Sequence, residues 1–237
     1  MKHPHIIGLT GPAGCGKDTV AELLATHARF TALAFADALR SEVCRGFGVD
    51  LSLLTRRDLK EQPTDALALE RCSDNSFIGV MLKHFFCAHG EHAAQSLVAP
   101  RSPRQIMQWW GTEYRRHTCR EDYWTRTLKA RVHIQQQGQL WRQARHVISD
   151  VRFPNEAEAI RSMGGVIWQV KRPDLALDTR HSSETDGSVF KPEAVINNRH
   201  DIKHLQLVVM GAWLMSETGL GHEDVIGMGA AFAAEAA

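Results

Sequence analysis

Gly11, Gly14, Gly16 and Lys17 stand in the run Gly-Pro-Ala-Gly-Cys-Gly-Lys, followed by Asp18 and Thr19. Glycines so spaced let the backbone curl until several N–H groups converge on one point, the arrangement an anion needs. Lys17 would place a mobile positive charge on the same anion. The flanks suit this chemistry. Ile6-Ile7-Gly8-Leu9-Thr10 is an apolar run of strand length, and Val20, Leu23, Leu24 and His27 recur at helical spacing. Strand, Gly-rich turn and helix form the setting in which GxxxxGK cradles a nucleotide phosphate. Gly11, Gly14, Cys15, Gly16, Lys17, Asp18 and Thr19 are therefore the candidate residues for a phosphate donor. The plainer alternative is a Gly-rich connection beside one surface lysine. Asp18 stands where many such loops carry the Ser or Thr that holds Mg²⁺. A carboxylate cannot copy that hydroxyl contact, which argues against a standard ATPase or GTPase and for a small-molecule kinase.

Other residues could complete phosphoryl transfer, which needs positioning and charge neutralisation more than a covalent participant. Asp150 ends the apolar run His146–Ser149 and is a natural carboxylate for magnesium or its waters. A strand-end Asp that only caps its loop has the same signature. Arg152 follows two residues on. Arg172 and Arg180 bracket a polar stretch, about 172–192, that also holds His181 and Glu184 and suits a lid excluding water. Plain solvated loop arginines fit there too. Between 101 and 117, Arg104, Arg115 and Arg116 gather around Gln108, Trp109 and Glu113. A solvated helix with intrahelical Glu–Arg pairs accounts equally for that cluster. Asp37 and Arg40 open a helix after the run 30–35. No Ser/His/Asp or Cys/His arrangement stands out among the dispersed histidines, and no zinc-type spacing appears.

Apolar runs near residues 6, 32, 147, 168 and 196 alternate with helical patterns. That predicts an α/β fold: three α/β/α layers around a five-stranded parallel sheet with right-handed crossovers. In such sheets ligands bind at the carboxyl ends of the strands. The Gly-rich loop, Asp37, Asp150, Arg152, Arg172 and Asn197 would then share one cleft. We expect a single domain with a core over 1–36 and 140–216, a helical substrate-binding insertion over about 37–139, and a flexible tail from about 217. Within the insertion, a polar helix should end at Leu59–Pro63. Another should cover 77–89, with Ile78, Met81, Leu82, Phe85 and Phe86 on an apolar face that suits either core or a homodimer contact. Ser102-Pro103 starts a helix carrying Ile106, Met107 and Trp110 inward. Further helices are expected over 122–137 and 202–215, and one capped by Asn155 with Glu158 as capping-box partner.

Composition narrows the partners. The 237 residues carry a formal charge of +1, which gives no basic field for nucleic acid. Five scattered cysteines fit a reduced cytoplasmic protein. No apolar run is long enough to span a membrane, and the N-terminus shows no secretory leader. Small-molecule nucleotides are the partners this leaves.

Several segments together resemble one family, the deoxynucleoside monophosphate kinases of tailed bacteriophages, which have P-loop NTPase folds of the NMP-kinase type. They are GxxGxGKDT at 11–19, SPRQIMQWWGTE at 102–113, DYW at 122–124, ISDVRFPNEAEAIRSMGG at 148–165, IWQVKRP at 167–173, DTRHSSE at 178–184 and VINN at 195–198. They occur in family order, and the Gly-Lys-Asp-Thr variant is itself a family feature. The resemblance implies ATP and Mg²⁺ as cofactors and transfer of the γ-phosphate to a deoxynucleoside monophosphate. It assigns the Gly11–Thr19 loop to ATP, places Asp150 and Arg152 near Mg²⁺ and phosphate, and matches Arg172 to the lid; Lys17, Asp150, Arg152 and Arg172 are then the candidates for the reacting phosphates, with Asp150 as the magnesium carboxylate, and Arg180 is a further candidate for ATP. It matches Arg104, Gln108, Trp109, Gly111, Thr112, Glu113 and Arg116 to the substrate-side helix and His181 and Glu184 to the lid; with Asp37 and Arg40, which open the helix after the second apolar run, these are the candidate acceptor residues. The sequence departs from the family pattern at Arg115, where Gly is usual, and at Arg199-His200, where a Gly-Ser turn is usual. Phosphomevalonate-kinase-like and dephospho-CoA-kinase-like enzymes share some of these elements, although the Asp-Ala-Asp of the latter is replaced by FADAL. A non-catalytic nucleotide-binding protein is the remaining reading.

Overall fold

A computed structural model describes residues 5–89, 95–137, 144–173 and 191–218. Five strands form one sheet: β1 (Ile6–Thr10), β2 (Phe30–Leu33), β3 (Arg145–Ile148), β4 (Val166–Lys171) and β5 (Ala194–Asn197). Their order is β2-β3-β1-β4-β5 and every pairing is parallel. The expected parallel sheet is thus present, with its five strands where the apolar runs lie. All five residues of β1, the central strand, are buried, as a strand covered on both faces must be.

The two faces bury different residues because side chains alternate along each strand. On one, Ile7, Leu9, Val147, Trp168, Val170 and Ile196 pack with α1 (Lys17–Ala28) and α9 (Ile202–Thr218). There Phe30 meets Trp213 edge-on at 4.9 Å. In α1 the buried stripe is Val20, Ala21, Leu23, Leu24 and Ala28, while His27 is exposed. On the other face α8 (Pro154–Ser162) lies so close to β1 that a Cβ on Gly8 would meet Ile160 at 2.6 Å.

The chain divides into two compact units, Met1–Ala34 with Lys129–Ala237, and Phe35–Leu128. The division falls within α7 (Tyr123–Gln137), so its second half joins the sheet unit. The Phe35–Leu128 unit is helical: α2 (Phe35–Phe47), α3 (Leu51–Thr55), α4 (Asn75–His89), α5 (Gln95–Val98) and α6 (Pro103–Gln108), which continues as a π-helix over Trp109–Cys119. Its core is aromatic. Phe77 and Trp110 are fully buried with centroids 4.5 Å apart, and Tyr114 and Phe47 complete the group.

Several boundaries differ from expectation. The second strand stops at Leu33, and Phe35 already belongs to α2, which runs through Gly46 to Phe47. The polar helix expected to end at Pro63 does not form. Instead α3 is capped by Asp50, whose carboxylate accepts from the Ser52 N–H, and residues 57–61 make turns. In α4, Phe77, Met81 and Phe85 are buried, whereas Phe86 is 66% exposed. Met107 is only half-buried.

Candidate active site

In the sheet unit, the turn after β1 has the shape its glycines permit. Gly11, Gly14 and Gly16 have φ of 139°, 77° and 105°, a region costly for residues with a Cβ. A Cβ on Gly11 would also lie 2.3 Å from the Val170 carbonyl oxygen. The Lys17 Nζ donates to the carbonyls of Gly11, at 2.7 Å, and Pro12, at 2.8 Å, so its charge sits over the loop. Cys15 is buried beneath it. Burial pushes the Cys15 thiol up, outweighing the opposing pull of Lys17, so the sulfur stays protonated at neutral pH. Asp18, in the first turn of α1, complements the positive end of the helix, with Thr19 half-buried beside it in sequence.

The other strand ends bring charge to the same edge of the sheet. The Ser149 N–H donates to the Leu33 carbonyl and the Val151 N–H to the Leu9 carbonyl, both at 3.1 Å. Asp150 is therefore pinned between the ends of β2 and β1. Among the described residues no group of three or more His, Cys, Asp or Glu could hold a metal ion. A site with a single protein carboxylate would be compatible with Mg²⁺, which is usually held by one or two carboxylates, waters and substrate phosphates. Arg152, after β3, and Arg172, after β4, are exposed. The buried Glu156 accepts from the N–H groups of Arg152, at 2.8 Å, and Phe153, at 3.2 Å. This corrects the expected cap. The helix starts two residues early, at Pro154, so Glu156, and not Glu158, reaches back to its entrance.

In the helical unit, Asp37 and Arg40 pair at 3.4 Å on α2, while Arg40 Nε is buried and has no hydrogen-bond partner among the described residues. The half-buried Arg104 bonds to Glu61 through its Nε. Trp109 meets Phe85 edge-on at 5.3 Å, and the Arg101 guanidinium lies 5.2 Å from the Trp109 ring and 5.4 Å from the Phe85 ring. Gly111 is buried against Leu39, and its carbonyl accepts from Trp124 Nε1 at 3.0 Å. Gln108 is exposed, and Thr112 and Arg116 are half-buried. Glu113 pairs with His117 at 3.1 Å and not with an arginine of its own helix. The Gly-Thr-Glu segment lies in the π-helical stretch, a conformation that favours functional sites. Arg180, His181 and Glu184 lie outside the described residues.

Arg115 has a structural partner that its family-unusual position did not disclose. Its Nε donates to Glu42 at 2.7 Å. The same carboxylate accepts from Trp110 Nε1 at 2.8 Å and from the Tyr123 hydroxyl at 2.6 Å. Burial and this bond push the Tyr123 hydroxyl up to about 12. Burial alone would lower the Arg115 pKa, but the Glu42 carboxylate more than reverses that, so Arg115 remains charged.

The family model for deoxynucleotide monophosphate kinases matches residues 68–209, more than half of the sequence. The chain belongs to that family. The matched span takes in the Gly-Thr-Glu helix, the Asp150 strand end and Asn197-Asn198, but begins after the phosphate loop, so loop and family match are separate lines of support. A mimivirus protein (Acanthamoeba polyphaga mimivirus) carrying the name "Putative deoxynucleotide monophosphate kinase" is 28% identical over 209 residues, covering 82% of this chain and 89% of its own. Among solved structures, a dephospho-CoA kinase from Campylobacter jejuni aligns with a TM-score of 0.44 at 12% identity, covering 90% of this chain and 97% of the other. At that level the likeness carries no argument. The kinase uses ATP, as its family implies, and no helix among its described residues is long and apolar enough to cross a membrane.

Two features of this kinase went unread in its sequence. Asn197, grouped by its sequence with the cleft residues, is the final strand residue, paired with Lys171, and Asn198 is the one that turns to the loop, donating from Nδ2 to the Cys15 carbonyl at 2.9 Å. The signal was the Asn-Asn pair itself, but a one-residue shift in strand end reverses side-chain direction. Glu42 gave no local signal, because its partners lie 68 to 81 residues away.

Proposed function

We propose that the Gly11–Thr19 loop holds the triphosphate of ATP and that the helical unit receives the deoxynucleoside monophosphate. The observation that carries this reading is the left-handed Gly11, Gly14 and Gly16 turn with Lys17 over it, in a chain of the deoxynucleotide monophosphate kinase family. Lys17 would exchange its bonds to the Gly11 and Pro12 carbonyls for phosphate oxygens, following charge transferred toward the leaving group. Asp150, a hard oxygen donor on a fixed backbone, would hold Mg²⁺, directly or through water. When bound, the ion neutralises charge on the donor phosphates. Arg152 and Arg172 supply further positive charge at the carboxyl ends of β3 and β4. Arg40, with a buried donor to spare, is our candidate for the acceptor phosphate. Gln108, Trp109, Thr112, Glu113 and Arg116 would frame the nucleoside, and Arg180, His181 and Glu184 would complete the enclosure. Five free thiols support the cytoplasm as the working compartment.

The test is Asp150→Asn with Mg²⁺ titration. We expect phosphoryl transfer to fall by about 100-fold, the size typical of losing one electrostatic contact to the transition state, and the Mg²⁺ requirement to rise. Activity and Mg²⁺ dependence equal to the parent enzyme would remove Asp150 from this role.

A further inference from the structure

The carbonyl of Cys15 is held by a residue that follows the edge strand β5. Asn198 Nδ2 donates to it at 2.9 Å. Asn198 is itself anchored, since its backbone N–H donates to the Lys171 carbonyl at 2.7 Å, one step beyond the Lys171–Asn197 pairing of β4 and β5. Its amide lies directly on the loop, because a Cβ on Gly16 would stand 2.6 Å from Nδ2.

A trans peptide is planar, so the Cys15 carbonyl and the Gly16 N–H point in opposite directions. Fixing the one fixes the other. Gly16, at φ 105° and without a Cβ, offers little steric resistance to rotation of this peptide. A rotated peptide would present an oxygen where the loop has an N–H, and an oxygen repels phosphate. We infer that Asn198 is a positioning residue for the donor: it holds the Cys15–Gly16 peptide so that the Gly16 N–H is available to the ATP phosphates. Asn198 acts through Cys15 and touches no phosphate itself. The inference rests on the reading of this loop as the donor site.

The experiment is calorimetric titration of ADP and, separately, of a deoxynucleoside monophosphate into the full-length enzyme and its Asn198→Ala and Asn198→Asp variants. The loss of one amide–carbonyl bond should weaken ADP binding by about tenfold in N198A. N198D, equal in volume, should weaken it further, because a carboxylate cannot donate and repels both the Cys15 carbonyl and the phosphates. Affinity for the monophosphate should not change. A merely structural role would lower both affinities together, or neither. Backbone amide spectra of glycine-labelled protein add a second readout, in which the Gly16 signal should move in N198A. ADP affinity unchanged in N198D overturns the inference, as does equal loss for both ligands. Absence of ADP binding in the parent enzyme would instead overturn the donor-site reading itself. If N198A does not fold, the isosteric N198D decides.

Discussion

Replacing Glu42 should destabilise the enzyme far more than a typical surface acid would. Its side chain is 11% exposed and that of its partner Arg115 is 18% exposed. One carboxylate satisfies three donors, the Arg115 Nε, Trp110 Nε1 and the Tyr123 hydroxyl, at 2.6 to 2.8 Å. Glu42→Ala would strip all three and leave the Arg115 charge in a largely desolvated place. Breaking a buried pair from one side costs about 3–5 kcal/mol. Here the guanidinium keeps the faces of Tyr114, at 4.3 Å, and Tyr123, at 4.9 Å, which offset part of that loss. We therefore expect about 3 kcal/mol for Glu42→Ala, near the low end of that range. Glu42→Gln keeps one acceptor oxygen but not the charge, and should cost about 1–2 kcal/mol. The double variant Glu42→Leu, Arg115→Met removes both charges and should recover most of the loss, since an apolar replacement of a buried pair is often neutral. Urea unfolding followed by tryptophan fluorescence reads all of these, with Trp110 as a reporter inside the cluster. A loss below about 1 kcal/mol for Glu42→Ala, within the range of surface substitutions and minor hydrogen bonds, would refute the reasoning. So would a double variant as unstable as the sum of its parts.

Two further outcomes follow from the sheet unit. Lys17→Ala should lower kcat by about 100- to 1000-fold with little change in stability, because it removes one charge that follows the developing transition state; steady-state rates and thermal unfolding separate the two effects. His146, fully buried on β3, has no hydrogen-bond partner for either ring nitrogen among the described residues. Burial, aided by Arg131, holds its pKa below the usual histidine value, so the unfolded chain takes up a proton before the fold can. Stability should fall as pH drops below about 6.5, where free histidine begins to charge, and His146→Leu should flatten that decline while adding about 1 kcal/mol at pH 7.5 by removing unpaired polar atoms. A stability–pH curve that keeps its slope in the His146→Leu variant would contradict this.

The parts of the fold readable in the sequence are those fixed by local pattern. Apolar runs marked all five strands, most plainly β1, which is buried on both faces and therefore continuously apolar. The phosphate loop was legible because glycine spacing is a backbone requirement, and Gly11, Gly14 and Gly16 all take left-handed φ. The strand order was not legible, since placing β3 between β2 and β1 depends on contacts between residues more than 100 apart in the chain. Residues 50–75 were opaque for another reason. They fold as one short helix and 3₁₀ turns over Asp65–Leu67 and Leu69–Arg71, segments too brief to show a period. Arg115 stood out in sequence only as a departure from the Gly-Thr-Glu motif, and Glu42, which explains it, was silent.

This chain transfers the ATP γ-phosphate to deoxynucleoside monophosphates. Phosphorus NMR of the purified enzyme with ATP, Mg²⁺ and each monophosphate in turn reads donor and product together. At least one deoxynucleoside monophosphate should lose its signal as ADP and the matching diphosphate appear in equal amounts. Phosphomevalonate and dephospho-CoA should remain untouched. Folded, ATP-binding enzyme that turns over no deoxynucleoside monophosphate, or that phosphorylates either of the other two acceptors instead, would contradict the account.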